Sequence, residues 1–205
     1  MADFSGSGFG DGGSDDPQPV SFEGYIELTI DPSDNTTGDL EISLKNTSPE
    51  NNQGWITSLA FMLPDGILAD GNYFTDSGLK NFLNSPVKAP PFTTSGGLTY
   101  NAGAGTKNSW VGGGKPQKGI GTDKSAKFNF GISSTNEITN FTDMLVSNKN
   151  FIAVRFQGFT DGSSAKIGGS GGGGAQVPEP ATIFLLGSGL LGLFGYRKKF
   201  WKPKK

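Results

Sequence analysis

Residues 25–45 read YIELTIDPSDNTTGDLEISLK. In the first part Ile26, Leu28 and Ile30 alternate with Glu27 and Thr29; in the last part Leu40, Ile42 and Leu44 alternate with Glu41, Ser43 and Lys45. Successive side chains of a strand point to opposite faces, so each run has one apolar and one polar face and predicts a half-buried strand. Between them Asp31, Pro32, Ser33, Asp34 and Asn35 supply a turn.

Outward from this stretch the pattern recurs. Ala126, Phe128, Phe130 and Ile132 alternate with polar residues, as do Ile152, Val154 and Phe156 against Arg155 and Gln157, and 55–63 is a fuller apolar run suited to a buried strand. Asp65 with Gly66, Asp70 with Gly71, and Asp161 with Gly162 mark further turns. Many short strands without a convincing amphipathic helix predict an all-β fold, an antiparallel β-sandwich of jelly-roll or Ig-like kind, over residues 20–167. Residues 1–19, poor in anything to bury, read as a flexible Gly/Ser/Asp arm, and 168–176 as a Gly-rich linker. The Gly-rich stretch 90–121 shows no period and reads as a loop; 142–149 suits one or two helical turns.

The 205 residues include no Cys and no His, which excludes disulfides, thiolate metal sites and thiol nucleophiles and removes the usual general base. No catalysis, cofactor or metal is expected. All 19 acidic residues lie in 1–180 with 11 basic ones, a balance of 11 − 19 = −8, whereas the last 25 residues carry six bases and no acid. An acidic body repels nucleic acid.

The tail from 181 reads ATIFLLGSGLLGLFGY, sixteen uncharged residues, followed at once by Arg197, Lys198 and Lys199. As a helix 181–196 is about 24 Å long against a hydrocarbon core of about 30 Å, short unless the flanking cations snorkel. Tyr196 and Trp201 sit where an interfacial aromatic belt belongs. One transmembrane helix is therefore expected, with the basic end cytoplasmic and the acidic body outside. Ser188 and Gly192 form a small-xxx-small pair of little weight.

Val177, Pro178, Glu179 and Pro180 precede the apolar run. Pro-Glu-Pro, then apolar residues, then a terminal basic cluster, resembles the PEP-CTERM sorting domain, and 177–205 is assigned to it. The resemblance implies an exosortase that recognises Val177, Pro178, Glu179 and Pro180 and cleaves near them, with Arg197, Lys198 and Lys199 as the cytoplasmic stop. It also implies an inner-membrane precursor, then an envelope or extracellular-matrix location, with membrane lipid and exopolysaccharide as further partners. Family members begin with a signal peptide; Met1 to Val20 has neither a charged region nor an apolar run, so that signal is expected upstream of Met1.

Other candidates are weaker. Gly8, Gly10 and Gly13 spell GxGxxG without a strand–helix context. Ser77 with Lys80, and Ser33, Asp34, Asn35, match fragments of penicillin-recognising enzymes in the wrong order. Asp70, Asn72 and Asp76 offer oxygen ligands without EF-hand spacing. Glu23 and Glu27 share a strand face, as a carboxylate hydrolase would need. Among aromatics Trp110 is the better glycan contact, Tyr100 another, and Trp55 reads as core. Asn35, Asn46 and Asn140 head N-x-S/T triplets and read as turn and strand residues.

Overall fold

In the computed structural model, residues 1–10, 18–52, 54–70, 74–83, 87–88, 99–107, 115–139, 141, 150–160 and 162–171 are described. The chain divides into two units, Met1–Gly173 and Gly174–Lys205, and every described residue lies in the first. The strands are β1 (Ala2–Phe9), β2 (Pro19–Ile30), β3 (Thr37–Asn46), β4 (Trp55–Phe61), β5 (Ile67–Ala69), β6 (Phe74–Thr75), β7 (Asn81–Leu83), β8 (Val87–Lys88), β9 (Thr99–Tyr100), β10 (Ala102–Gly105), β11 (Ser125–Ser134), β12 (Ile152–Gln157) and β13 (Ser164–Gly171). Single 3-10 turns occupy Glu50–Asn52 and Pro116–Lys118.

The opening stretch forms the hairpin β2–β3. Ile26 pairs with Ile42 and Leu28 with Leu40, so both apolar sets lie on one face. Asp31 shapes the turn, its Oδ1 accepting from the Ser33 amide at 2.8 Å and the Ser33 hydroxyl at 2.6 Å. Both bonds favour the ionised form and hold its carboxyl below the usual range.

All pairings are antiparallel, and the main sheet runs β5-β11-β3-β2-β1-β13-β12-β4-β10-β7, with β6 also on β11. The all-β antiparallel reading stands, but one continuous sheet takes the place of two separate ones. It curls until its halves meet: Phe61 of β4 lies edge-on to Phe130 of β11 at 5.0 Å, and Phe22 of β2 faces Phe156 of β12 at 6.4 Å. Phe22, Leu40, Ile42, Leu44, Leu59, Phe61, Phe128, Phe130, Val154 and Phe156 fill the interior. β4 and β12 are buried on both faces, because a second cluster of Ala60, Leu83, Tyr100 and Ala153 lies on their outer side.

Three expectations are corrected. The arm 1–19 contains β1, which pairs with β2 at eight positions and with β13 at Phe4↔Gly171 and Ser5↔Ser170. The 168–176 linker begins inside β13, which runs to Gly171. In both places glycine makes room for a neighbour: a Cβ at Gly6 would lie 2.6 Å from the Phe22 ring, and one at Gly169 would lie 2.8 Å from Phe22 and from Ile152. The loop 90–121 holds β9 and the fully buried β10, whose Ala-Gly-Ala-Gly offers no apolar–polar contrast to read. The helical turns expected at 142–149, the end of the linker and all of 177–205 lie outside the described residues.

Candidate functional site

The polar face of β2, β3 and β11 gathers the carboxylates. Glu23 pairs with Lys45 at 3.3 Å, both exposed, and Glu27 stands opposite Glu41. Glu41 is engaged by two neighbours: the Tyr25 hydroxyl donates to its Oε1, and Lys127 Nζ donates to the same atom at 2.8 Å while lying 5.6 Å from the Tyr25 ring centroid. Alternation on three adjacent strands puts these three side chains on one face.

The bond from Lys127, then that from Tyr25, holds the Glu41 carboxyl below its ordinary range; Glu41 in turn raises Lys127. For Glu41, stability is present above its unfolded pKa of about 4.3 and is lost as pH falls through the lower folded value. For Lys127 it is present below about 10.4 and is lost as pH rises through the higher folded value. Glu41→Gln is therefore expected to lower the melting temperature slightly at neutral pH, where solvent screens the exposed pair. The gap from the unsubstituted chain should close on acidification below about pH 4, as followed by thermal melts across pH.

Glu23 is thus paired with Lys45, while Glu27 lies on the same face opposite Glu41. Asp76 accepts the Lys127 amide at 2.9 Å, Asp70 lies over Gly131 of β11, and Asn72 lies outside the described residues. Among the described residues no group of three or more acidic side chains is arranged to hold a metal ion. Gly8 belongs to β1, the Gly10 amide donates to the Gln18 carbonyl at 2.9 Å, and Gly13 lies outside the described residues. The Ser77 hydroxyl receives the Leu79 amide at 3.1 Å, which commits it to a turn; Ser33, Asp34 and Asn35 form the exposed β2–β3 turn.

Of the N-x-S/T residues, Asn140 lies outside the described residues and Asn35 is a turn residue at φ 27°. Asn46 is fully buried and ties three segments together, donating from Nδ2 to the carbonyls of Gly54 (2.8 Å) and Ile120 (3.0 Å) and accepting the Ser48 amide at 3.1 Å.

The aromatic candidates are rearranged. Tyr100 is buried, its hydroxyl donating to the Asn150 carbonyl at 2.8 Å, and offers no platform. Trp110 lies outside the described residues. Trp55, expected in the core, is half-buried and belongs to neither apolar cluster. Its indole lies beside the backbones of Gly121 and Gly158 and shares the Gly158 contact with Pro116. Sequence reasoning missed this site because the glycines and Pro116 come from segments far apart in the chain.

Residues 176–199 match the family model of the PEP-CTERM protein-sorting motif. The match contains Val177, Pro178, Glu179, Pro180, the apolar run and Arg197, Lys198 and Lys199. It starts five residues after β13 ends at Gly171. No curated protein matches the chain. The motif marks the chain for export and for sorting by an exosortase, by way of a membrane-anchored precursor.

Proposed function

We propose that this chain is a non-enzymatic structural protein of the envelope or extracellular matrix, a β-rich body delivered outside by its sorting tail. The observation that carries this reading is the motif at 176–199, immediately downstream of a body whose last strand ends at Gly171. In this reading 181–196 crosses the inner membrane as a helix in contact with lipid, Arg197, Lys198 and Lys199 stay in the cytoplasm, and the exosortase acts at Pro178, Glu179 and Pro180. Cutting there leaves every described strand intact.

The test is expression from the native locus of the intact chain, of a chain lacking residues 176–205, and of the Glu179→Ala variant. The intact chain is expected to give a shortened product outside the inner membrane. The Glu179 variant is expected to accumulate as full-length precursor in the membrane fraction, and the truncated chain to be lost from the envelope. Normal envelope delivery of the truncated body would overturn the proposal.

A second reading, a glycan-binding or adhesin module delivered by the same tail, is favoured by the partly exposed position of Trp55.

A further inference from the structure

We infer that residues 172–176 are a stand-off which the exosortase requires for its length and not for its sequence, because the strand just upstream, β13, is closed to it. This inference deepens the sorting reading and rests on it. Between Gly171, the last residue of β13, and the recognition element at 177–180 stand Gly172, Gly173, Gly174, Ala175 and Gln176. An enzyme that acts within a peptide holds it extended, through main-chain groups that form a further ladder with the enzyme. A strand with a neighbour on each side has no edge at which such a ladder can form.

β13 is such a strand, lying between β1 and β12 in the sheet. Gly168 and Gly169 pair with Ala153 and Ile152 of β12, and Ser170 and Gly171 pair with Ser5 and Phe4 of β1. The Ser170 hydroxyl also accepts the Asn150 amide at 3.2 Å. Gly169 is packed against two apolar side chains, since a Cβ there would lie 2.8 Å from the Phe22 ring and from Ile152. Releasing 169–171 therefore breaks the Phe4↔Gly171 and Ser5↔Ser170 pairs and uncovers Phe22 and Ile152, both core residues. That is an opening of the sheet rather than the fraying of an end.

The inferred contact of the enzyme extends over 174–177, ahead of Pro178. Deleting 172–176 joins Val177 to Gly171, and the places of 174–176 are then taken by Gly169, Ser170 and Gly171. The enzyme meets these three only in molecules whose sheet is open, and cutting of a transiently opened state follows the population of that state. With 172–176 present, a closed sheet and an accessible motif coexist.

The test is pulse-chase of the chain expressed from its native locus, with precursor in the membrane fraction and its shortened product separated on gels. The chain lacking 172–176 retains every described strand. It is expected to be shortened about tenfold more slowly, because the cut waits on opening of the sheet. The same-length variant Gly172→Ser, Gly173→Ala, Gly174→Ser, Gln176→Ala is expected to be shortened at the rate of the unsubstituted chain. Adding Phe4→Ala to the deletion, which loosens the strand that pairs with Gly171, is expected to restore most of the lost rate. Shortening of the deleted chain at the unsubstituted rate would overturn the inference. A same-length variant as slow as the deletion would overturn it too, by showing that the enzyme reads the glycines, and so would a deletion that Phe4→Ala leaves as slow as before. In each of these outcomes the intact chain is still shortened and the sorting reading stands. Absence of a shortened product from the intact chain would overturn that reading and the inference with it.

Discussion

A chain lacking residues 2–9 is expected to lose cooperative unfolding of its body. β1 is the seam of the sheet, bonded to β2 along its whole length and to β13 at Phe4 and Ser5. Its removal separates β2, β3 and β11 from β13, β12 and β4 and leaves two unpaired strand edges, with their amides and carbonyls open to pairing with other chains. Phe4, 3% exposed, packs against Phe22 at 6.2 Å and edge-on to Phe151 at 5.8 Å, one ring from each half. Phe4→Ala alone should cost about 3–5 kcal/mol, a large share of the 5–15 kcal/mol of an ordinary domain. Urea unfolding followed by far-ultraviolet circular dichroism reads both: a shifted midpoint for Phe4→Ala, no sharp transition for the deletion. A wild-type midpoint for the deletion would show that the halves hold together without the seam.

Asn46→Ala is expected to destabilise the body by about 2–5 kcal/mol, because it removes the Asn46 partner of the buried Gly54 carbonyl and Ser48 amide at about 1–3 kcal/mol each, while the Ile120 carbonyl keeps the Ile56 amide at 2.9 Å. Asn46→Asp should do no better. A carboxylate can still accept the Ser48 amide, but it cannot donate to Gly54 and Ile120, and its charge is fully buried. Chemical denaturation of both variants against the unsubstituted chain decides the point. A loss below about 1 kcal/mol for Ala would mean that solvent reaches the vacated carbonyls.

The strand candidates that proved legible share one property. At Ile26, Leu28, Ile42, Leu44, Phe128 and Phe130 each residue supplies its own apolar volume, so period-2 alternation shows which side it buries. The turn at 31–35 was equally local, fixed by an aspartate that bonds its own neighbour two residues on. The same locality makes the tail readable, since its motif is contiguous from 176 to 199.

What only the tertiary structure decided is where volume comes from elsewhere. Gly6 and Gly169 lie in paired strands, where Phe22 and Ile152 fill the space their side chains would take, and an isolated view of those segments shows only low-complexity glycine. Trp55 is only partly buried instead of in the core because Gly121, Gly158 and Pro116, distant in the chain, form its seat. Asn46 gained its role from Gly54 and Ile120, the latter 74 residues away. Alternation and contiguous motifs are properties of neighbouring residues, whereas the room around a glycine and the partners of a buried amide are set by strands that meet only once the sheet has curled.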